Sequence, residues 1–173
     1  MRILLFYSLI LVNFVAMNHK ADFDTLFTMA NRIINEDCRA DVRLQKICKL
    51  LSNSVEYYNW VGFYLAEPGR RELVLGPYVG APTDHIRIPY GRGVCGQAAD
   101  SKETVLVQDV SAESNYLSCS IHVRAEIVVP VLRKDLVVAE IDIDSHHPSP
   151  FSRDDEEFLS SLATLVEPII WLT

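Results

Sequence analysis

The sequence is poor in the residues that staple small or metal-bound scaffolds. Its 173 residues contain four cysteines, Cys38, Cys48, Cys95 and Cys119. That is too few for a secreted disulfide framework, and no two of them form the CxxC pair of a structural zinc site. Glycine and proline are scarce, at 7 and 8 residues, and 49% of the chain is hydrophobic. Fibrous, low-complexity and disordered classes are therefore excluded. Positive charge is also in short supply: 16 Lys and Arg against 23 Asp and Glu leave a net charge of -7. With no basic run, nucleic acid is not an expected partner, because phosphate contacts need clustered Lys and Arg. There is no internal repeat and no linker, and the length suits one domain around one core.

One long apolar run is present. Ile3 to Met17 follows Arg2 and is interrupted only by Ser8 and Asn13. It is too short for a comfortable membrane span. It resembles the n- and h-regions of a signal peptide, yet Val15-Ala16-Met17-Asn18 lacks a small-x-small cleavage pattern. Met17 opens a polar, helix-like stretch, so the favoured expectation is a true start at Met17. Residues 1–16 then form a separate apolar segment and 17–173 the domain. An export or anchor segment and a packed helix stay open as alternatives.

Two helical stripes follow. The first runs over residues 22–36, through Phe23, Leu26, Phe27, Ala30, Ile33 and Ile34, and the second over 41–57, through Leu44, Ile47, Cys48, Leu51 and Val55. The texture then becomes aromatic and β-branched. Strands are expected at Asn59–Leu65, Glu72–Val79, Ile86–Pro89, Thr104–Val107, Glu126–Leu132 and Leu136–Ile143, mostly joined as hairpins. Residues 111–120 read as an irregular polar segment. Ser152 is placed as the N-cap of a last helix, with Asp154, Asp155 and Glu156 in its first turn and Pro168 near its end. The pattern is α+β: an antiparallel sheet of about six strands with the terminal helices packed on one side.

Several residues stand out as carriers of chemistry. Cys95 lies in the glycine-rich bend Gly91-Arg92-Gly93-Val94-Cys95-Gly96. If a short helix starts there, backbone amides and Arg92 favour its thiolate; the plainer alternative is a small buried residue behind a tight turn. Cys119 sits in a polar loop between serines, a better setting for a reactive thiol than a core stripe. Cys48 shares the apolar face of its helix and reads as packing, and Cys38 carries no signal. Glu126 opens one apolar strand, while Asp142 and Asp144 interrupt another and share one face by period two. Such acids beside a core suit an ammonium group, a metal or a shared proton; a solvated sheet edge is the alternative. A metal is not expected, since no recognised ligand spacing accompanies them, and His146-His147 reads as solvated loop. Trp60 and Tyr64 share a strand face and suit either a pocket wall or ordinary packing.

In order along the chain, NWVGFYL, LVLGPYVG, IRIPYGRGVCG, the Cys119 loop, EIVVP and EIDIDS resemble the free methionine-R-sulfoxide reductases, which are single GAF domains. The likeness runs from about Asn59 to the C-terminus, and the opening helices fit it. It implies a GAF-like fold and a closed pocket over the sheet for one free methionine sulfoxide. It implies Cys119 as the attacking thiolate and Cys95 as the resolving cysteine, with thioredoxin or another dithiol as reductant and no bound cofactor. Glu126, Asp142 and Asp144 match the pocket acids, and Trp60 and Tyr64 the aromatic wall. A cytoplasmic, often dimeric protein is implied. Three positions depart from the family: His85 stands where many members carry a further cysteine, Ser120 where an aspartate follows the catalytic cysteine, and Ala125 where a serine precedes the pocket glutamate. A GAF module that senses a small ligand or redox state without turnover is the alternative function.

Overall fold

The computed structural model describes residues 23–113, 115, 117 and 121–170. The apolar segment 1–16 and the start at Met17 lie outside them. Helix α1 covers residues 23–34 and buries Phe23, Leu26, Ala30 and Ile34. Helix α2, Ala40–Ser54, buries Leu44, Ile47, Cys48 and Leu51 along one stripe. It stops three residues short of the expected end. Ser52, Asn53 and Ser54 offer the backbone competing hydrogen bonds, and Val55 is already extended, with its N–H donating to Leu51 O.

Six strands follow among the described residues: β1 Trp60–Glu67, β2 Glu72–Val79, β3 Arg87–Pro89, β4 Val105–Val107, β5 Ala125–Arg133 and β6 Leu136–Ser145. Helix α3, Gly93–Ser101, lies between β3 and β4, and helix α4, Arg153–Val166, closes the fold. The sheet order is β3-β2-β1-β6-β5-β4, with every neighbouring pair antiparallel. Strand β6 is two residues longer than its sequence pattern suggested, and it runs up the middle of the sheet between β1 and β5.

The pleat sorts the side chains into two cores. Val61, Phe63, Ile127, Val129, Ile141 and Ile143 face α1, α2 and α4, forming the larger core. Phe23 of α1 stacks on Phe158 of α4 with ring centroids 4.6 Å apart. The terminal helices thus lie on one side, as expected. Trp60, Tyr64 and Val128 point the other way, against Val94, Cys95, Ala98 and Ala99 of α3. Pro168 ends α4 rather than kinking it, because it falls in a 3-10 turn, Glu167–Ile169, immediately after the helix.

Ser152 caps α4 as expected, with Asp155 completing a capping box. Asp155 is fully buried and does more than cap. Its Oδ1 accepts from the hydroxyls of Tyr57 and Tyr58, each at 2.8 Å, and its Oδ2 from Ser152 N at 2.8 Å. One carboxylate therefore ties α4 to the segment that feeds the central strand. Asp155→Ala is expected to lower unfolding stability by about 3 kcal/mol, since it strands buried donors. Urea denaturation measures this, and a loss below about 1 kcal/mol would show that the tie is dispensable.

Candidate functional site

Cys95 is held by the geometry of the bend before α3. Gly93 opens the helix at φ +66, a left-handed conformation that suits glycine. A Cβ at Gly96 would sit 2.5 Å from Pro89 O, so only glycine permits the approach. Gly91 N–H then donates to Gly96 O at 2.6 Å, and Gly96 N–H to Arg92 O at 3.0 Å. The result presents Cys95 from the first turn of α3 onto the sheet, buried at 4% exposure. Its thiol donates to Glu126 Oε1 at 3.8 Å.

Beneath it lies a row of acids. Glu140, Asp142 and Asp144 alternate along β6, and Glu126 of β5 pairs directly with Asp144. Their exposures are 0%, 2%, 1% and 4% in that order. Asp142 is paired in register with Gly62 of β1 and Val128 of β5, both interior strands. The alternative of a solvated sheet edge is therefore set aside, since β6 is central. Among the described residues no Lys or Arg forms an ion pair with any of the four. Asp142 Oδ1, Asp144 Oδ1 and both Glu140 oxygens have no hydrogen-bond partner.

Burial dominates their ionisation. It lifts Asp142 from 3.8 to about 7, with the hydrogen bond from Cys95 pulling the other way. Glu126 is pushed well up by burial and then by the charges of Asp142 and Asp144. Asp144 and Glu140 rise for the same reasons, burial first and Asp142 second.

A narrow recess reaches this row, lined by Tyr64, His85, Cys95, Leu117, Glu126 and Asp142 among others. Tyr64 is fully buried and its hydroxyl donates to His85 O at 2.9 Å. Trp60 stands one layer back. It stacks on Tyr78 at 5.3 Å and on Tyr64 at 6.4 Å, and its Nε1–H donates to Ala81 O at 3.0 Å. Of the expected aromatic pair, Tyr64 lines the recess and Trp60 supports it. Cys119 and Ser120 lie outside the described residues. Cys48 is buried as expected, and its thiol donates to Pro77 O at 3.4 Å.

Two features escaped the sequence reading. Glu140 continues the row, and the same period-two rule that linked Asp142 to Asp144 points to it. A further group is the convergence of Cys95 Sγ with carboxylate oxygens of Glu126 and Asp142, all within 4.8 Å of one another. The expectation of no metal ligands rested on spacing along the chain. These three donors come from α3, β5 and β6, so no spacing motif announces them.

The sequence matches the GAF domain family over residues 39–170. It is 36% identical to the free methionine-R-sulfoxide reductase of Escherichia coli (strain K12), over 72% of this chain and 73% of that one. Protein YtsP of Bacillus subtilis (strain 168) is 32% identical over 84% of this chain and 89% of its own. The fold superposes on an X-ray structure of free methionine-R-sulfoxide reductase from Neisseria meningitidis in complex with its substrate. The TM-score is 0.82 at 33% identity, covering 87% of this chain and 89% of that one.

The raised carboxyls make a signed prediction. Each releases its proton near pH 4 in the unfolded chain and at higher pH when folded. Their contribution is therefore fully present below about pH 4 and is lost as pH rises through the folded values. For Asp142 that window runs from 3.8 to about 7. Asp142→Asn is expected to flatten the decline across it by on the order of 1 kcal/mol per pH unit, leaving the ligand-free variant more stable than wild type at pH 7. Urea unfolding between pH 5 and about 8 checks the sign. An unchanged slope would remove Asp142 from the set of buried, proton-holding groups.

Proposed function

The chain belongs to the GAF domain family and, within it, to the free methionine-R-sulfoxide reductases, and on that premise we propose that this oxidoreductase reduces free L-methionine-(R)-S-oxide to L-methionine. The observation that carries the reading is the buried thiol of Cys95 poised over Glu126 and Asp142 at the floor of a recess. A free amino acid brings an ammonium group, and three carboxyls with no Lys or Arg partner among the described residues can supply the matching counter-charge. Tyr64, backed by Trp60, supplies an apolar wall for the methyl-sulfur end.

The chemistry assigned to these groups runs as follows. The Cys119 thiolate attacks the sulfoxide sulfur while Glu126, Asp142 or Asp144 protonates the departing oxygen. Methionine leaves, and Cys119 keeps the oxygen as a sulfenic acid. The Cys95 thiol condenses with it, releasing water and forming a Cys95–Cys119 disulfide. Two electrons have then passed from two thiols to one sulfoxide. Thioredoxin, or another dithiol, restores both thiols by exchange. A carboxyl with its proton available near pH 7, as burial makes Asp142, suits a general acid. With thioredoxin as reductant, the protein works in a reducing compartment such as the cytoplasm. Among the described residues no helix is long and apolar enough to cross a membrane.

A coupled assay with thioredoxin, its reductase and NADPH, supplied with either sulfoxide epimer, tests the reading. NADPH consumption is expected with the R epimer alone. Cys119→Ser is expected to abolish it. Cys95→Ser is expected to retain one methionine released per chain but to lose thioredoxin-driven turnover. Silence with both epimers, repeated with dithiothreitol, would overturn the reductase and favour a sensing module.

A further inference from the structure

The donors at the floor of the recess make up a ligand set as well as an acid set. We propose that Cys95, Glu126 and Asp142 form a binding site for a thiophilic divalent cation of the zinc type, and that its occupancy shuts the enzyme off by locking the Cys95 sulfur. The site itself is independent of the reductase reading; the shut-off rests on it.

Three observations on the page carry this. The Sγ of Cys95 and one oxygen each of Glu126 and Asp142 lie within 4.8 Å of one another, all on buried residues. Zinc–sulfur and zinc–oxygen bonds of about 2.3 and 2.1 Å at a tetrahedral angle place their donors roughly 3.6 Å apart, and the Cys95 Sγ to Glu126 Oε1 separation is 3.8 Å. Small side-chain shifts bring the three onto one ion. Second, the Asp142 carboxyl, which belongs to this cluster, carries a buried oxygen, Oδ1, with no hydrogen-bond partner, so the group has an acceptor atom to spare. Third, among the described residues no Lys or Arg offsets these acids. A thiolate and two carboxylates sum to three negative charges, which a divalent ion reduces to one.

The sulfur donor selects the metal class. Thiolate favours zinc and its soft or borderline relatives, whereas magnesium and calcium require six or more oxygen donors. Three protein ligands from different elements leave a fourth position facing the recess, the pattern of an open site. On binding, the Cys95 S–H bond is replaced by a sulfur–metal bond, and the thiol proton leaves to solvent together with any proton held by Glu126 and Asp142. A sulfur held this way cannot condense with a sulfenic acid, and the ion stands where the substrate ammonium is assigned. No electron moves, so chelation reverses the block.

Cobalt(II) is the probe, titrated into the reduced, metal-free full chain and followed by its sulfur-to-cobalt charge-transfer band. One ion per chain with that band is expected in wild type and in Cys119→Ser. The band should vanish in Cys95→Ser, and Glu126→Gln and Asp142→Asn should each weaken binding at least tenfold. These two substitutions keep side-chain shape, and circular dichroism verifies their folding. Excess zinc should displace cobalt, and excess magnesium should not. In a single turnover without external reductant, zinc should suppress methionine release or disulfide formation at least tenfold, with recovery on adding a chelator. Absence of the band in wild type, its survival in Cys95→Ser, its loss in Cys119→Ser or displacement by magnesium would overturn the site. Unimpaired turnover at saturating zinc would overturn the shut-off. A chain with no reductase activity at all would still report the site through cobalt.

Discussion

Four carboxyl groups buried side by side, with no Lys or Arg paired to them among the described residues, are the constraint around which this molecule is arranged. An ionised carboxylate away from water is expensive, and several on one sheet face repel one another as well. Burial answers this by raising the proton affinity of Glu126, Glu140, Asp142 and Asp144 above that of ordinary carboxyls. Such a row persists only if the remainder of the fold over-determines its position. The central placement of β6, paired along its length with both β1 and β5, does so.

The two faces of the sheet divide the work. Interdigitated aliphatic and aromatic side chains beneath α1, α2 and α4 supply the apolar burial that holds the domain together. The opposite face is smaller and mixed, with α3 as its cover. Because α3 starts from a glycine bend held by backbone hydrogen bonds, the Cys95 thiol is positioned by rigid main chain rather than by a long flexible side chain. That is the kind of support the resolving role proposed for Cys95 would require.

Much of this was legible in the residues. The helical stripes from Phe23 to Ile34 and from Leu44 to Leu51 are matters of period, and period survives folding unchanged. The pairing of Asp142 with Asp144 on one face is equally local. What could not be read is strand order. Whether the acid strand lies at an edge or at the centre depends on β6 pairing with β1, whose residues lie some distance upstream, and nothing near Asp142 encodes that. The separate standing of Tyr64 and Trp60 has the same origin: both point one way from β1, but the position of α3 and the loop carrying His85 decides which meets the recess. The Cys95, Glu126 and Asp142 convergence joins three elements and left no spacing to find. Glu140 is different, since its period-two relation to Asp142 was visible and only its burial was not.

The segregation of the two faces bears on how such a domain changes over generations. The aliphatic face secures the architecture whatever happens on the other side. Replacing a pocket acid by an amide or an apolar residue removes strain and leaves the scaffold intact. A lineage released from the need for this chemistry would therefore drift toward sturdier, inert descendants of the same shape. Loss of these acids in a descendant would mark the point at which selection for their chemistry ended.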